Sequence, residues 1–348
     1  MRKKTNKVLI IRLSAMGDVA MVRPVAAEFC EKNPDLEIYL LTRKAFAPFF
    51  ADIPGLHLLH PDFRQKHKGF YGLFCLFREI KRTLSPSLIL DLHDVLRTKI
   101  LRFLFRLSGI PSYKIDKGRK EKKQLIQSAG EYSKPLKHTT RRYADVFARA
   151  GFPLKLEKGK YILPTNMEAE EARFLSKTET NIGIAPFARH LSKQIPEGLL
   201  REIITELSKR KCKILIFGGG QEEQQIADKL TEEFARAESV IGQLALPREL
   251  ALIAHLDAMI TADSANMHMA ALVNTKIISI WGATHPFAGF TPFISDEKLY
   301  IFQNNNLSYR PLSIYGNTSC TPEQIREMYD LPADQIADAC LQEDAQVL

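Results

Sequence analysis

The residues that decide the fold run from Lys211 to Trp281. They open with KCKILIFGGG (211–220) followed by QEEQQIADKL (221–230), and close with AMITADSANMHMAALVNTKIISIWG (258–282). An apolar strand turns at three consecutive glycines into a helical run. Later a second apolar strand turns through Asp263-Ser264-Ala265-Asn266 into a helix and a third strand. Such strand–turn–helix–strand units are βαβ crossovers, whose ligands sit at the carboxyl ends of the strands. The turn DSANMH leaves backbone N–H groups free at a helix start, where they and the helix dipole stabilise a phosphate. This turn is therefore read as the docking point of a nucleotide diphosphate.

The same alternation extends in both directions. Upstream, KVLIIRL (7–13), LEIYLLT (36–42), LHLLHP (56–61) and SLILDLHD (87–94) are short apolar runs separated by helical patterns. They predict a first doubly wound α/β domain. Pro24 inside the run VAMVRPVAAEFCEKN predicts an irregular first turn there. TNIGIAPF (180–187) begins a second such domain. The expected organisation is an N-terminal domain over 1–165, a C-terminal domain over 166–322, and a helical tail over 323–348 that packs back on the first domain. DKGRKEKKQ (116–124) reads as a mobile basic loop.

A chain of 348 residues accommodates two domains with real cores. The hydrophobic fraction of 45% and charged fraction of 26% are those of a globular protein. Its five cysteines are scattered, with no CxxC pair, which fits a reducing cytoplasm and neither a disulfide framework nor a zinc site. No run approaches a membrane span, and Arg12 interrupts the only N-terminal apolar stretch, so no signal peptide is expected. The net charge of +9 points to anionic partners. It is concentrated between Arg64 and Arg142, where 20 Lys or Arg face 6 Asp or Glu.

Several side chains could carry chemistry. Asp18, in SAMGD just past the first strand, is either a helix cap or a general base. Lys193, in HLSKQIP, is either a solvated lysine or a point charge on a phosphate, with Arg189 and Ser192 able to share that work. Glu222 and Glu223 follow the glycines, where the helix dipole favours acids and a ribose diol would find an acceptor. Asp263 would cap the DSAN turn. His268 is either a core histidine or a group close to the phosphates. No Asp-x-Asp occurs anywhere in the chain. A divalent cation in a sugar transferase is commonly held by such a pair, so lysine and helix-end donors are expected to neutralise a leaving diphosphate, with no metal.

SAMGD (14–18), SKQIP (192–196), GGGQEE (218–223) and the block DSANMH (263–268) to GATHP (282–286) together resemble glycosyltransferase family 9, the lipopolysaccharide heptosyltransferases. The resemblance runs from about Lys7 to Pro286. It implies a GT-B fold, two Rossmann-like doubly wound domains facing across a cleft, and inverting transfer from ADP-heptose without a metal or other cofactor. Asp18 would deprotonate the acceptor and Lys193 would pair with the diphosphate. Glu222 would bind the ribose and Leu244 would touch the adenine. Ser264, Ala265 and Asn266 would offer amides to the phosphates, with Asp263 and His268 shaping the turn. Ala265 stands where the family usually has glycine, Ile195 where it has an aromatic, and Ala188 and Arg189 where some members carry hydroxyls.

The acceptor implied by the resemblance is an anionic glycolipid, lipid A–Kdo, at a membrane surface. Arg64, Lys66, Arg97, Lys99, Arg119 and Arg142 are the candidates for holding it. The expected location is cytoplasmic, with peripheral attachment to the inner face of a bacterial inner membrane. The helix LRTKILRFLFRLSG (96–109) is either an ordinary amphipathic helix or one that rests on that surface. Two other classes compete: a nucleotide-sugar epimerase of the same fold, or a basic binding module. Nothing in the chain resembles a nucleic-acid motif.

Overall fold

The computed structural model describes residues 6–128 and 134–342. In chain order the first part contains β1 (Lys7–Ile11), α1 (Met16–Ala20), α2 (Arg23–Lys32), β2 (Glu37–Leu41), β3 (Leu56–Leu59), α3 (Gly69–Thr83), β4 (Leu88–Asp91), α4 (Leu96–Leu107), β5 (Ser112–Lys114), α5 (Arg119–Gln127) and α6 (Thr139–Arg149). The second contains α7 (Ala169–Ala172), β6 (Asn181–Ala185), α8 (Glu197–Lys209), β7 (Lys213–Ile216), α9 (Gln221–Glu233), β8 (Ala237–Ser239), α10 (Leu246–Ala254), β9 (Ala258–Ala262), α11 (Ala265–Leu272), β10 (Ile277–Ile280), β11 (Leu299–Phe302), α12 (Pro322–Met328) and α13 (Ala333–Leu341).

These elements make two compact units. One runs up to Lys117 and includes Thr139–Tyr161; the other combines Gly118–His138 with the chain from Ile162 onward. The first sheet has the order β3-β2-β1-β4-β5, with every pair parallel. The second has the order β11-β10-β9-β6-β7-β8, again all parallel. Both are doubly wound sheets of the Rossmann type, as the alternating pattern predicts. Each reverses its direction of winding once, between β1 and β4 and between β6 and β9, and ligand crevices open outside the carboxyl ends of the strands at such points.

Parallel strands covered on both faces read as continuous apolar runs. Ile182, Ile184, Ile214, Ile216, Ile260 and Ile278 are completely buried in the second core, and Leu9, Ile11 and Ile89 in the first. Pro24 does break the first helical run: α1 ends at Ala20, and α2 starts at Arg23 with the proline in its first turn, where its missing N–H costs nothing.

Three expectations are corrected. DKGRKEKKQ is not a loop, because residues 119–127 form α5. That helix buries Lys122 and Leu125 against the second unit, Leu125 beside Ala288 and Ile314, and the Lys122 ammonium 4.1 Å from the Phe290 ring centroid. The tail does not pack back on the first unit. Met328, Ile336 and Ala337 enter the core of the second, and α13 lies against α8 and β9; residues 343–348 of the expected tail fall outside the described residues. Finally, β5 and β11 were not anticipated. They are short edge strands, half-exposed, and lack the unbroken apolar signature.

The five cysteines are free thiols. Burial pushes the Cys30 thiol up to about 12, so it is inert as a nucleophile at neutral pH. Among the described residues no helix is long and apolar enough to cross a membrane.

Candidate active site

In the second unit, the turn after β6 and the turn after β9 flank the reversal point of the sheet. Lys193 comes from the first and Asp263 from the second. The Lys193 Nζ lies 2.9 Å from Asp263 Oδ2, and the same oxygen accepts a hydrogen bond from Thr284 Oγ1 at 2.8 Å. Asp263 is 6% exposed, so its charge is balanced within the protein and not by water. This differs from the expected cap. The N-cap of α11 is Ser264, in extended conformation, and no side chain accepts there. Asp263 instead holds the lysine and the threonine, which leaves the first-turn amides of α11, from Ala265 and Asn266, pointing out of the helix start. A cation and a set of orphan donors at one strand edge have the chemistry to hold an anion.

The lysine is fixed from behind. Its stem crosses Gly316, where an added Cβ would collide with Lys193 Cδ. Ser192 was expected to help bind the donor, but it is buried and its hydroxyl donates to the Gly316 carbonyl at 2.6 Å. It braces the loop; its oxygen is not presented. Tyr329 donates to the Ser192 carbonyl at 3.3 Å. Arg189 is exposed and lines a cavity of about 950 Å³ with Phe187, His190 and Gln194. Beneath the next loop, buried Arg310 donates to the carbonyls of Trp281, Gly282 and Thr284 at 2.7–3.0 Å. Gly282 has no room for a side chain, since a Cβ there would run into the Tyr329 ring. Gly282→Ala is therefore expected to cost about 1–3 kcal/mol and to lower the melting temperature by several degrees, measurable by calorimetry. An unchanged melting temperature would show that the ring moves freely.

Two of the three glycines have distinct structural causes. A Cβ at Gly218 would meet Phe187 at 2.7 Å and Glu223 Oε2 at 2.8 Å, while Gly220 has φ +95°, a conformation that disfavours side chains. Glu223 Oε2 accepts from the Gly219 amide at 2.6 Å and is occupied with the turn. Glu222, at the second position of α9, stays exposed. Leu244 is half-buried just before α10. His268 is buried at the fourth position of α11.

In the first unit, Asp18 lies in α1, immediately after β1. Its Oδ2 is 2.7 Å from an Arg12 terminal nitrogen, whereas the Ala15 amide approaches it only at 3.4 Å. The capping reading is thus the minor one; the carboxylate is an ion-pair partner, about a third exposed. Arg12 is itself buried, donates to the Leu92 carbonyl at 2.7 Å, and lies over the Tyr143 ring. His93, just past β4, completes the group. Burial, then the nearby cations Arg12 and Lys117, lower its pKa to about 3, so it is neutral at pH 7. Its Nδ1 has no hydrogen-bond partner among the described residues. A neutral imidazole and a carboxyl group at the reversal point of the sheet suit a sugar hydroxyl.

The acceptor candidates divide. Arg64, Lys66, Arg97 and Lys99 are exposed on the first unit; Lys66 pairs with Glu79 at 2.5 Å and Arg97 stacks on Phe63 at 5.0 Å. Arg119 is exposed but opens α5, which belongs to the second unit. Arg142 is corrected: it is 4% exposed, on the buried face of α6 with Tyr143 and Val146, and does not offer its charge to a ligand. Sequence reasoning missed Arg12, His93 and Thr284. The one signal was an arginine inside the otherwise apolar run KVLIIRL, where it falls just past the end of β1.

With this geometry in place, comparison with known proteins identifies the fold and its lineage. The family described as "Glycosyltransferase family 9 (heptosyltransferase)" matches residues 78–315. The chain belongs to glycosyltransferase family 9. It is 20% identical to lipopolysaccharide heptosyltransferase 1 of Pseudomonas aeruginosa, over 94% of this chain and 92% of that protein. It is 22% identical to lipopolysaccharide heptosyltransferase 1 of Escherichia coli K12, over 80% and 89%. Among solved structures, a family 9 glycosyltransferase from Veillonella parvula superposes with a TM-score of 0.73 at 18% identity, covering 97% of this chain and 98% of that one. The E. coli heptosyltransferase WaaC with ADP gives 0.64 at 18%, covering 88% and 96%. These likenesses fix the fold as that of the GT-B glycosyltransferases. The family 9 chain described here is accordingly a glycosyltransferase.

Proposed function

We propose that this enzyme transfers heptose from ADP-heptose to the inner core of a lipopolysaccharide precursor, lipid A–Kdo, with inversion at the anomeric carbon and without a metal. The observation that carries this reading is the Lys193–Asp263–Thr284 group beside the start of α11. The donor diphosphate takes the amides of Ser264, Ala265 and Asn266 and the charge of Lys193. Glu222 accepts from the ribose diol and Leu244 packs on the adenine. Asp18 removes the proton from the acceptor hydroxyl as its oxygen attacks the anomeric carbon; the bond from that carbon to the diphosphate breaks on the opposite face, and ADP departs. Arg12 holds the Asp18 carboxylate in place through their ion pair, and neutral His93 hydrogen-bonds the acceptor sugar. Exposed Arg64, Lys66, Arg97 and Lys99 meet its phosphates and carboxylates on the cytoplasmic side of the inner membrane.

A nucleotide panel tests the donor. Ligand that binds only the folded chain stabilises it by about 2.7 kcal/mol at a hundredfold excess over Kd, several degrees in melting temperature. ADP and ADP-heptose are expected to give this shift, and UDP and GDP little. A larger shift with UDP or GDP would replace the donor. Conversion of the nucleotide sugar without any acceptor would favour an epimerase.

A further inference from the structure

The outward faces of α3 and α4 are apolar where a helix covering a sheet is ordinarily polar. Among the described residues twelve large apolar side chains are exposed, and six of them sit on these two helices: Phe70, Tyr71 and Phe74 on α3, and Leu96, Phe103 and Leu107 on α4. Apart from Phe74, at 37%, their exposure runs from 60% at Phe103 to 78% at Tyr71. They are not spare core residues. Leu73, Leu76, Phe77 and Ile80 of α3, and Leu101 and Phe105 of α4, already fill the core beneath. The helices pack against each other, and Lys81 Nζ bridges them to Ser108 Oγ at 3.0 Å. The spacing Phe70–Phe74, four residues, and Leu96–Phe103–Leu107, seven and four, keeps each set on one side of its helix.

The charges between these residues are of one sign. The two helices carry seven Lys or Arg and one acid, Glu79, which is paired with Lys66. Arg102 is held by Asp91 and Asp94, and the other six cations are not in ion pairs with any described residue. A second copy of the chain would bring an equally cationic stripe against this one, which disfavours self-association. Rings and leucines interleaved with unopposed cations fit a surface that is apolar beneath and anionic above. In a parallel sheet, helices start at the carboxyl edge of the strands. Phe70, Tyr71 and Leu96 therefore lie at the same edge as Asp18.

We propose that α3 and α4 dock together on an anionic phospholipid bilayer, with Phe70, Tyr71, Phe74, Leu96, Phe103 and Leu107 at the boundary between headgroups and acyl chains. This contact rests on the glycolipid reading only for its purpose, since it needs neither donor nor acceptor. The test is co-sedimentation of the full chain with vesicles of phosphatidylcholine alone and of phosphatidylcholine mixed with phosphatidylglycerol. Binding to the mixed vesicles is expected to be at least about tenfold tighter than to the neutral ones and to weaken with salt. The combined substitution Phe70→Ser, Tyr71→Ser and Phe103→Ser is expected to weaken it by at least about tenfold. Its melting temperature, its response to ADP, and transfer to an acyl-free acceptor sugar are expected to stay as in the parent. Equal binding to both vesicle types, or undiminished binding of the variant, overturns the proposal. So does concentration-dependent self-association that the variant abolishes while vesicles are ignored, which would make the face an interface between copies. Vesicle binding without any response to ADP would leave the docking intact and remove the donor assignment instead.

Discussion

Asp18→Asn is expected to lower the turnover of transfer by about 10²–10⁴-fold with little change in donor affinity. The substitution keeps the shape and still lets the side chain accept from Arg12, which now donates to Asp18 Oδ2 at 2.7 Å. What it removes is the basic oxygen that the proposed mechanism needs to take the acceptor proton. Because Arg12 is buried, losing the carboxylate also leaves a guanidinium short of its counter-charge, so folding must be checked alongside. The informative result is a variant whose melting temperature stays close to the parent's and whose ADP response is preserved while turnover collapses. Near-normal turnover in a folded variant would withdraw Asp18 as the base. It would leave the residue as a counter-ion of Arg12.

Lys193→Met is the second large effect. Methionine keeps the stem that crosses Gly316 but removes the ammonium facing Asp263. Two losses add. The leaving diphosphate loses its cation, and the buried Asp263 carboxylate, now held only by Thr284, turns from a partner into a repelling charge. A fall of about 10²–10³-fold in kcat/KM is expected, the range for removing one donor aimed at developing charge. Adding Asp263→Asn to the same chain removes the repulsion and is expected to recover part of the loss. Steady-state kinetics with ADP titration distinguishes the two contributions, since the repulsion weakens ADP binding and the missing cation slows bond breakage. If Lys193→Met kept near-parental kcat/KM, the departing phosphate would have to be neutralised elsewhere.

The inner strands were readable because a parallel strand covered on both faces is apolar along most of its length, as in VLII of β1, ILI of β7 and IISI of β10. Edge strands lack that constraint: SYK of β5 and LYIF of β11 are half-exposed and leave no such mark. α5 was misread as a loop because only Lys122 and Leu125 of it are buried, and one of the two is a lysine whose partners are aromatic rings far along the chain. The turn ahead of α11 was legible through local order, DSAN before an apolar helix. Its supports did not: Ser192, Thr284 and Arg310 act through contacts spanning from 21 to 124 residues. Arg12 was visible as an anomaly in the first apolar run, but its pairing with Asp18 depends on how the turn after β1 folds back, which no spacing reveals. Arg142 illustrates the converse. A basic stretch says that charge is abundant, not which of its members the helix turns inward.

Because Gly118–His138 is folded with the second unit while the chain on either side of it belongs to the first, the polypeptide passes from one to the other at three places. The halves are thus not modular in the genetic sense. A clone ending at residue 161 would express α5 stripped of Ala288, Phe290 and Ile314, and a clone starting at 162 would uncover those same side chains to water. Swapping the second unit between relatives calls for exchanging that excursion as well, so a chimera needs two grafts where a single splice would look sufficient.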